Sequence, residues 1–173
     1  MTDPAPDPVL SVCPGCGVSL PAFVGPTHRY MESSPACWAM FGRILAKEFG
    51  DPAYWPVHTL TVDTFAAQHP GRLSEQTRHS VAFHLVGLCL AVERGMEAAA
   101  SGWHRQKGGQ THKDLPWLEP PARLGDVTTA DAAPAASPDE HARLVRVWAA
   151  SVWGAWRMHH PVVRSWADRL GSP

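Results

Sequence analysis

Between Ser34 and Gly50 the apolar residues Trp38, Phe41 and Leu45 recur at the spacing that gathers side chains on one face of a helix. Ser34-Pro35 supplies an N-cap with proline at the first helical position, and Gly50 supplies a stop. A second helix is predicted over roughly 57–69, where His58, Val62, Phe65 and His69 share a face until Pro70-Gly71 ends it. The strongest helical pattern runs from a Ser74 cap to Gly95, with Val81, His84, Leu85, Leu88 and Val92 as its apolar stripe and Cys89 beside them. Ser137-Pro138-Asp139-Glu140 reads as a capping box. It opens a helix carrying Val145, Trp148, Val152, Trp156 and His159 on one stripe, and a closing helical turn follows His160-Pro161.

Elsewhere the periodicity breaks. Pro14, Gly15, Gly17, Pro21, Gly25 and Pro26 forbid long regular structure over residues 13–33. From Gly102 to Pro138, Gly108-Gly109, Pro116, Pro120-Pro121 and Pro134 predict a long connection. Trp103, Trp117 and Leu118 pin its ends, which leaves 126–137 as the expected mobile part. The expected fold class is therefore all-α: a small bundle of four to five helices with an irregular, metal-pinned N-terminal segment. One domain over 1–173 is expected, divided into a loose arm (1–12), a zinc-binding segment (13–37), a helical core (38–101), a long loop (102–137) and C-terminal helices (138–170).

Composition narrows the classes of function. With 45% hydrophobic and 18% charged residues, the 173-residue chain has the make-up of a soluble globular protein. Fifteen basic and 16 acidic side chains nearly cancel, which gives no electrostatic footprint for nucleic acid or an anionic membrane. No run approaches a membrane span, and Met1 to Pro8 is acidic and proline-rich rather than a signal peptide, so a cytoplasmic location is expected. In that reducing setting the 4 cysteines read as ligands, redox thiols or buried packing rather than disulfides. The surplus of 10 His and 8 Trp is the compositional oddity.

Cys13-Pro14-Gly15-Cys16-Gly17 is the most specific motif in the chain. Two cysteines separated by Pro-Gly form a tight turn in which both thiolates can face one ion while backbone N–H groups face the sulfurs. Cys37, in the first turn of a predicted helix, gains from the macrodipole and free N–H groups, which favour its thiolate. His28 lies between the cysteines and completes a set of four donors, so Cys13, Cys16, His28 and Cys37 are the expected metal ligands, with a more distant histidine as the alternative fourth donor. Zinc suits this set, with iron as the other candidate. A thioredoxin-like dithiol is the competing reading of the first two cysteines. It needs a strand before the motif and a helix after it, whereas Gly17 follows here without any alternating strand pattern.

The second candidate constellation is His58, His69 and His84, three imidazoles on predicted buried faces that adjacent helices could gather around a catalytic metal. Asp63 stands roughly 140° around the helix from His58, so it serves as orienter or proton acceptor rather than as a coplanar ligand. The plainer reading is that these histidines satisfy backbone groups in the core or cap helix ends. The same holds for His159-His160, while the tryptophans read as packing and Cys89 as a small buried hydrophobe. Arg105, Lys107 and Lys113 form a loop that would contact an anion or simply face water. No nucleophile elbow, Walker loop, dinucleotide fingerprint or His-Glu-x-x-His helix occurs.

The string Cys13-Pro14-Gly15-Cys16-Gly17, Thr27-His28-Arg29-Tyr30-Met31, Ser34-Pro35-Ala36-Cys37-Trp38, Val57-His58, Leu60-Thr61-Val62-Asp63 and Gln68-His69-Pro70-Gly71 resembles a bacterial family catalogued only as a domain of unknown function. The resemblance runs from Cys13 through the His84 to Cys89 region and on to the Trp148 to His160 helix. It implies that the Cys and His motifs form one design, and it implies no reaction or substrate. The functional expectation is a zinc-stabilised helical protein, extended to a metal-dependent enzyme in which His58, Asp63, His69 and His84 act on a small molecule. The alternative is a non-catalytic adaptor or regulator whose zinc shapes a surface for a protein partner.

Overall fold

The computed structural model describes residues 8–97 and 115–171. It opens with a feature that the all-α reading omitted: an antiparallel hairpin of β1 (Leu10–Val12) and β2 (Ser19–Pro21), with Leu10 opposite Pro21 and Val12 opposite Ser19. Strands of three residues are too short to leave a period in the sequence. Their connecting turn is the Cys13–Val18 stretch itself, closed by Cys13 N donating to Val18 O and Gly17 N to Cys13 O, each at 2.9 Å. Gly17 carries φ 75°, a left-handed conformation that favours glycine.

Six α-helices follow among the described residues. Helix α1 (Pro35–Gly50) starts where its cap predicts, with Ser34 Oγ accepting from Cys37 N at 3.2 Å. A 3₁₀ turn (Pro52–Val57) leads into α2 (His58–Gln68). Helix α3 (Glu75–Leu88), capped by Ser74, passes into a π turn (Cys89–Glu93) before Gly95. A four-residue α4 (Thr129–Ala132) precedes α5 (Pro138–Ala155), and α6 (His160–Gly171) closes the chain as three full turns rather than one. At α5 the capping box is displaced: Ser137 Oγ accepts from Glu140 N, but the Glu140 carboxylate accepts from Ala136 N instead of the cap's own amide.

Helix α2 is the hub. It packs mainly against α3 and α5, while α6 covers α3 and the π turn, and α4 sits between α1 and α5. From Asp63 to Gln68 every side chain of α2 is buried, which explains why its pattern looks only weakly one-sided. Phe65 stacks on Phe41 at 3.9 Å between centroids, and Trp148 and Trp156 are fully buried against the same helix. Each indole is satisfied there, Trp148 Nε1 donating to Gln68 Oε1 at 2.8 Å and Trp156 Nε1 to Ala67 O at 3.0 Å.

The stretch 126–137, read from sequence as mobile, is instead folded down. Thr128 and Asp131 form a reciprocal capping box for α4, and Thr129, Ala132 and Ala135 are buried. Alanines at these positions carry little apolar area, so their burial is invisible to a hydrophobicity pattern. Trp103 and the Arg105, Lys107 and Lys113 group lie outside the described residues. Among the described residues no helix is long and apolar enough to cross a membrane.

Candidate metal centre

The structure gathers Cys13, Cys16, Cys37 and His69, with one donor atom from each lying within 4.8 Å of all the others. Cys13 and Cys16 come from the hairpin turn, Cys37 from the first turn of α1, and His69 from the residue that ends α2. Cys37 Sγ stands 3.8 Å from Cys16 Sγ and 3.4 Å from His69 Nε2. Cys13, Cys37 and His69 are buried and Cys16 is half-buried.

His69 is prepared for ligation by its surroundings. Its Nδ1–H donates to Phe65 O at 2.8 Å, which leaves Nε2 as the lone-pair nitrogen facing the sulfurs. The ring also stacks on Phe65, with centroids 4.0 Å apart. Gly15 lets the cysteine turn close over this ring: a Cβ there would lie 2.6 Å from His69 Cδ2 and 2.6 Å from Glu32 O. The sulfurs have donors of their own. Ser34 N donates to Cys13 Sγ at 3.4 Å, and Thr129 Oγ1 lies 3.4 Å from Cys37 Sγ.

Without a cation, three thiols this close cannot all ionise. Hydrogen bonds from Cys16 and then Cys37 pull the Cys13 thiol far down, making it the thiolate of the set. The Cys16 thiol, bound to Cys13, is pushed up to about 12, and the Cys37 thiol is raised by Cys13 and then by Cys16. A divalent cation reverses this competition, since it replaces the shared protons and neutralises the crowded sulfurs.

His28 stands elsewhere. Its ring sits edge-on to Tyr30 at 4.4 Å and tilted against Trp38 at 5.2 Å, and it is not one of the four clustered donors. Burial, and then the charge of nearby His84, lower its basicity. The other three histidine-constellation residues are likewise distributed rather than gathered, because His69 is committed to the cysteines. His84 Nδ1–H donates to Asp63 Oδ1 at 2.8 Å, a contact between α3 and α2. Gly87 makes room for that carboxylate, since a Cβ there would overlap it. His58 Nδ1–H donates to Glu48 Oε2 at 2.8 Å, and its ring stacks on Trp55. No second group of three or more metal-binding side chains gathers among the described residues.

Three buried polar side chains escaped the reading of the sequence. Glu48 is buried and accepts from His58, from Thr61 Oγ1 at 2.6 Å and from His141 Nε2 at 2.8 Å. Both Glu48 and His141 carried a signal, because each lies in the helical register of its own apolar stripe: 41, 45, 48 on α1 and 141, 145, 148 on α5. Thr129, the hydroxyl at Cys37, carried none.

Fold and site together define a mostly helical protein with a Cys₃His group that could hold a metal ion. Residues 11–157 match the family described as "Family of unknown function (DUF5946)", and the chain belongs to it. No curated protein and no solved structure matches the chain.

Proposed function

We propose that Cys13, Cys16, Cys37 and His69 hold one structural Zn²⁺, and that the protein is a zinc-stabilised helical adaptor or regulator whose metal fixes the N-terminal segment as a binding surface. The observation that carries this reading is the donor set: four side chains, three of them buried, bring one donor atom each within 4.8 Å of all the others, and zinc held by four protein ligands would have no open position for substrate. Four cysteines free of disulfide bonds suit a reducing compartment, and the cytoplasm is the setting we assign. Metal analysis of the purified chain tests the ligand set. One zinc per chain is expected, lost on Cys13→Ser with Cys16→Ser and on His69→Ala but kept in His28→Ala. A metal-free wild type, or zinc that depends on His28 and not on His69, overturns the proposal.

A specific observation favours a second reading, an enzyme acting on a small molecule. Two half-buried imidazoles, His84 and His58, each have Nδ1 held by a fully buried carboxylate, Asp63 and Glu48 respectively. That arrangement fixes tautomer and ring orientation as a general acid–base group requires. In this reading zinc remains structural and the chemistry lies at these pairs.

A further inference from the structure

The segment 124–135 is wired to both sides of the metal centre. On one side Gln68, the neighbour of ligand His69, donates through Nε2 to Leu124 O at 3.0 Å and Val127 O at 2.8 Å. On the other, fully buried Thr129 places Oγ1 3.4 Å from the sulfur of ligand Cys37. These two connections span 59 and 92 residues of sequence. The remaining attachments hold the same segment down: Lys47 Nζ donates to Ala135 O at 2.7 Å, and Ser151 Oγ accepts from Asp126 N at 2.9 Å.

Resting on the zinc reading above, the geometry points to Thr129 as a positioning residue of the metal site, whose hydroxyl donates to the Cys37 thiolate and so makes metal binding and docking of residues 124–135 one equilibrium. A thiolate on zinc is an acceptor. Such a sulfur has no proton left to give, so in the metal-loaded state the Thr129 hydroxyl is the donor across the 3.4 Å contact. Three thiolates on a divalent cation leave a net negative charge in a buried site. Ser34 N–H, Val18 N–H and Thr129 O–H are donors placed at the sulfurs that carry that charge. The capping box of α4 gives the hydroxyl its fixed place, since Thr128 and Asp131 lock the turn in which Thr129 is the first helical residue.

Thr129→Val, nearly isosteric, removes the donor, and Thr129→Ser restores it with a smaller side chain. Zinc affinity is read by competition with a chromogenic chelator, the sulfur-to-metal charge-transfer band of the Co²⁺-loaded protein by absorption, and docking by limited proteolysis within 115–137 with and without zinc. Affinity about tenfold weaker in Thr129→Val, a shifted charge-transfer band, recovery of both in Thr129→Ser, and zinc-dependent protection of 115–137 in the wild type are expected. Equal losses in Val and Ser variants would mean packing alone and overturn the inference, as would wild-type affinity and spectrum in Thr129→Val or protection indifferent to zinc. A wild type that binds no zinc sinks the parent reading first, whereas a zinc-loaded wild type with an unaffected Thr129→Val sinks only this one.

Discussion

At the scale of single residues the site shows what neighbourhood in sequence can and cannot reveal. Cys13, Cys16 and Cys37 declare themselves through the Pro-Gly turn and the helix N-terminus. The fourth donor does not, because His28 is near in sequence while His69, 32 residues beyond Cys37, is near in space. Direction decides between them: Phe65 O holds the His69 ring with Nε2 toward the sulfurs, whereas His28 packs on Trp38 and Tyr30. Proton bookkeeping at these residues yields a sharp expectation. In the metal-free protein Cys16, pushed up to about 12, and Cys37, raised by its hydrogen bonds to Cys13 and Cys16, both keep their protons at neutral pH. Zinc must expel both, so affinity rises with pH, by up to about a hundredfold per pH unit for two protons. Chelator competition at about pH 6.5 and about pH 7.5 measures the slope. A flat or falling affinity would mean that the thiols are not the ligands.

At the scale of elements, the helices were legible where a cap and a stripe coincide, as at Ser34 with α1, Ser74 with α3 and Ser137 with α5. The hairpin, α4 and the full length of α6 were not, because they are too short, too alanine-rich or too charged to leave a period. The stripes also held polar information that a purely apolar reading discards. Glu48 and His141 lie on core-facing registers of α1 and α5 and meet there, with His58 and Thr61 of α2, in one network. It ties three helices through a carboxylate with no solvent-accessible surface. Replacing Glu48 by Ala leaves two imidazoles without their acceptor, reduces the Thr61 hydroxyl to its bond with Val57 O, and opens a void. A loss of about 3–5 kcal/mol in chemical denaturation is expected, with zinc still at one per folded chain because the two networks share no ligand. A loss below about 1 kcal/mol would show that water or a neighbour replaces the carboxylate readily.

At the scale of the whole molecule, the two halves of the structure rely on different forces. The helical core of α2, α3 and α5 is held by Phe65, Leu85, Trp148 and Trp156, all fully buried and none of them a metal donor. The N-terminal hairpin has less of this support: Leu20 reaches the core, but Leu10 and Val12 are exposed, and three-residue strands bury too little to fold alone. On the zinc reading, a cation joining Cys13 and Cys16 to α1 and to the end of α2 supplies the rest of its attachment. Zinc present at about a thousand times its dissociation constant contributes about 4 kcal/mol, which for a chain of this size corresponds to about 8–16 °C in Tm. Stripping the metal with a chelator is expected to lower the calorimetric Tm by that amount. Far-UV circular dichroism should keep most of its helical signal, because the three-helix core meets the site only at the end of α2. An unchanged Tm after complete metal removal would deny the cation its clamping role. Collapse of the whole helical signal would instead show that the core, too, is organised around the ion.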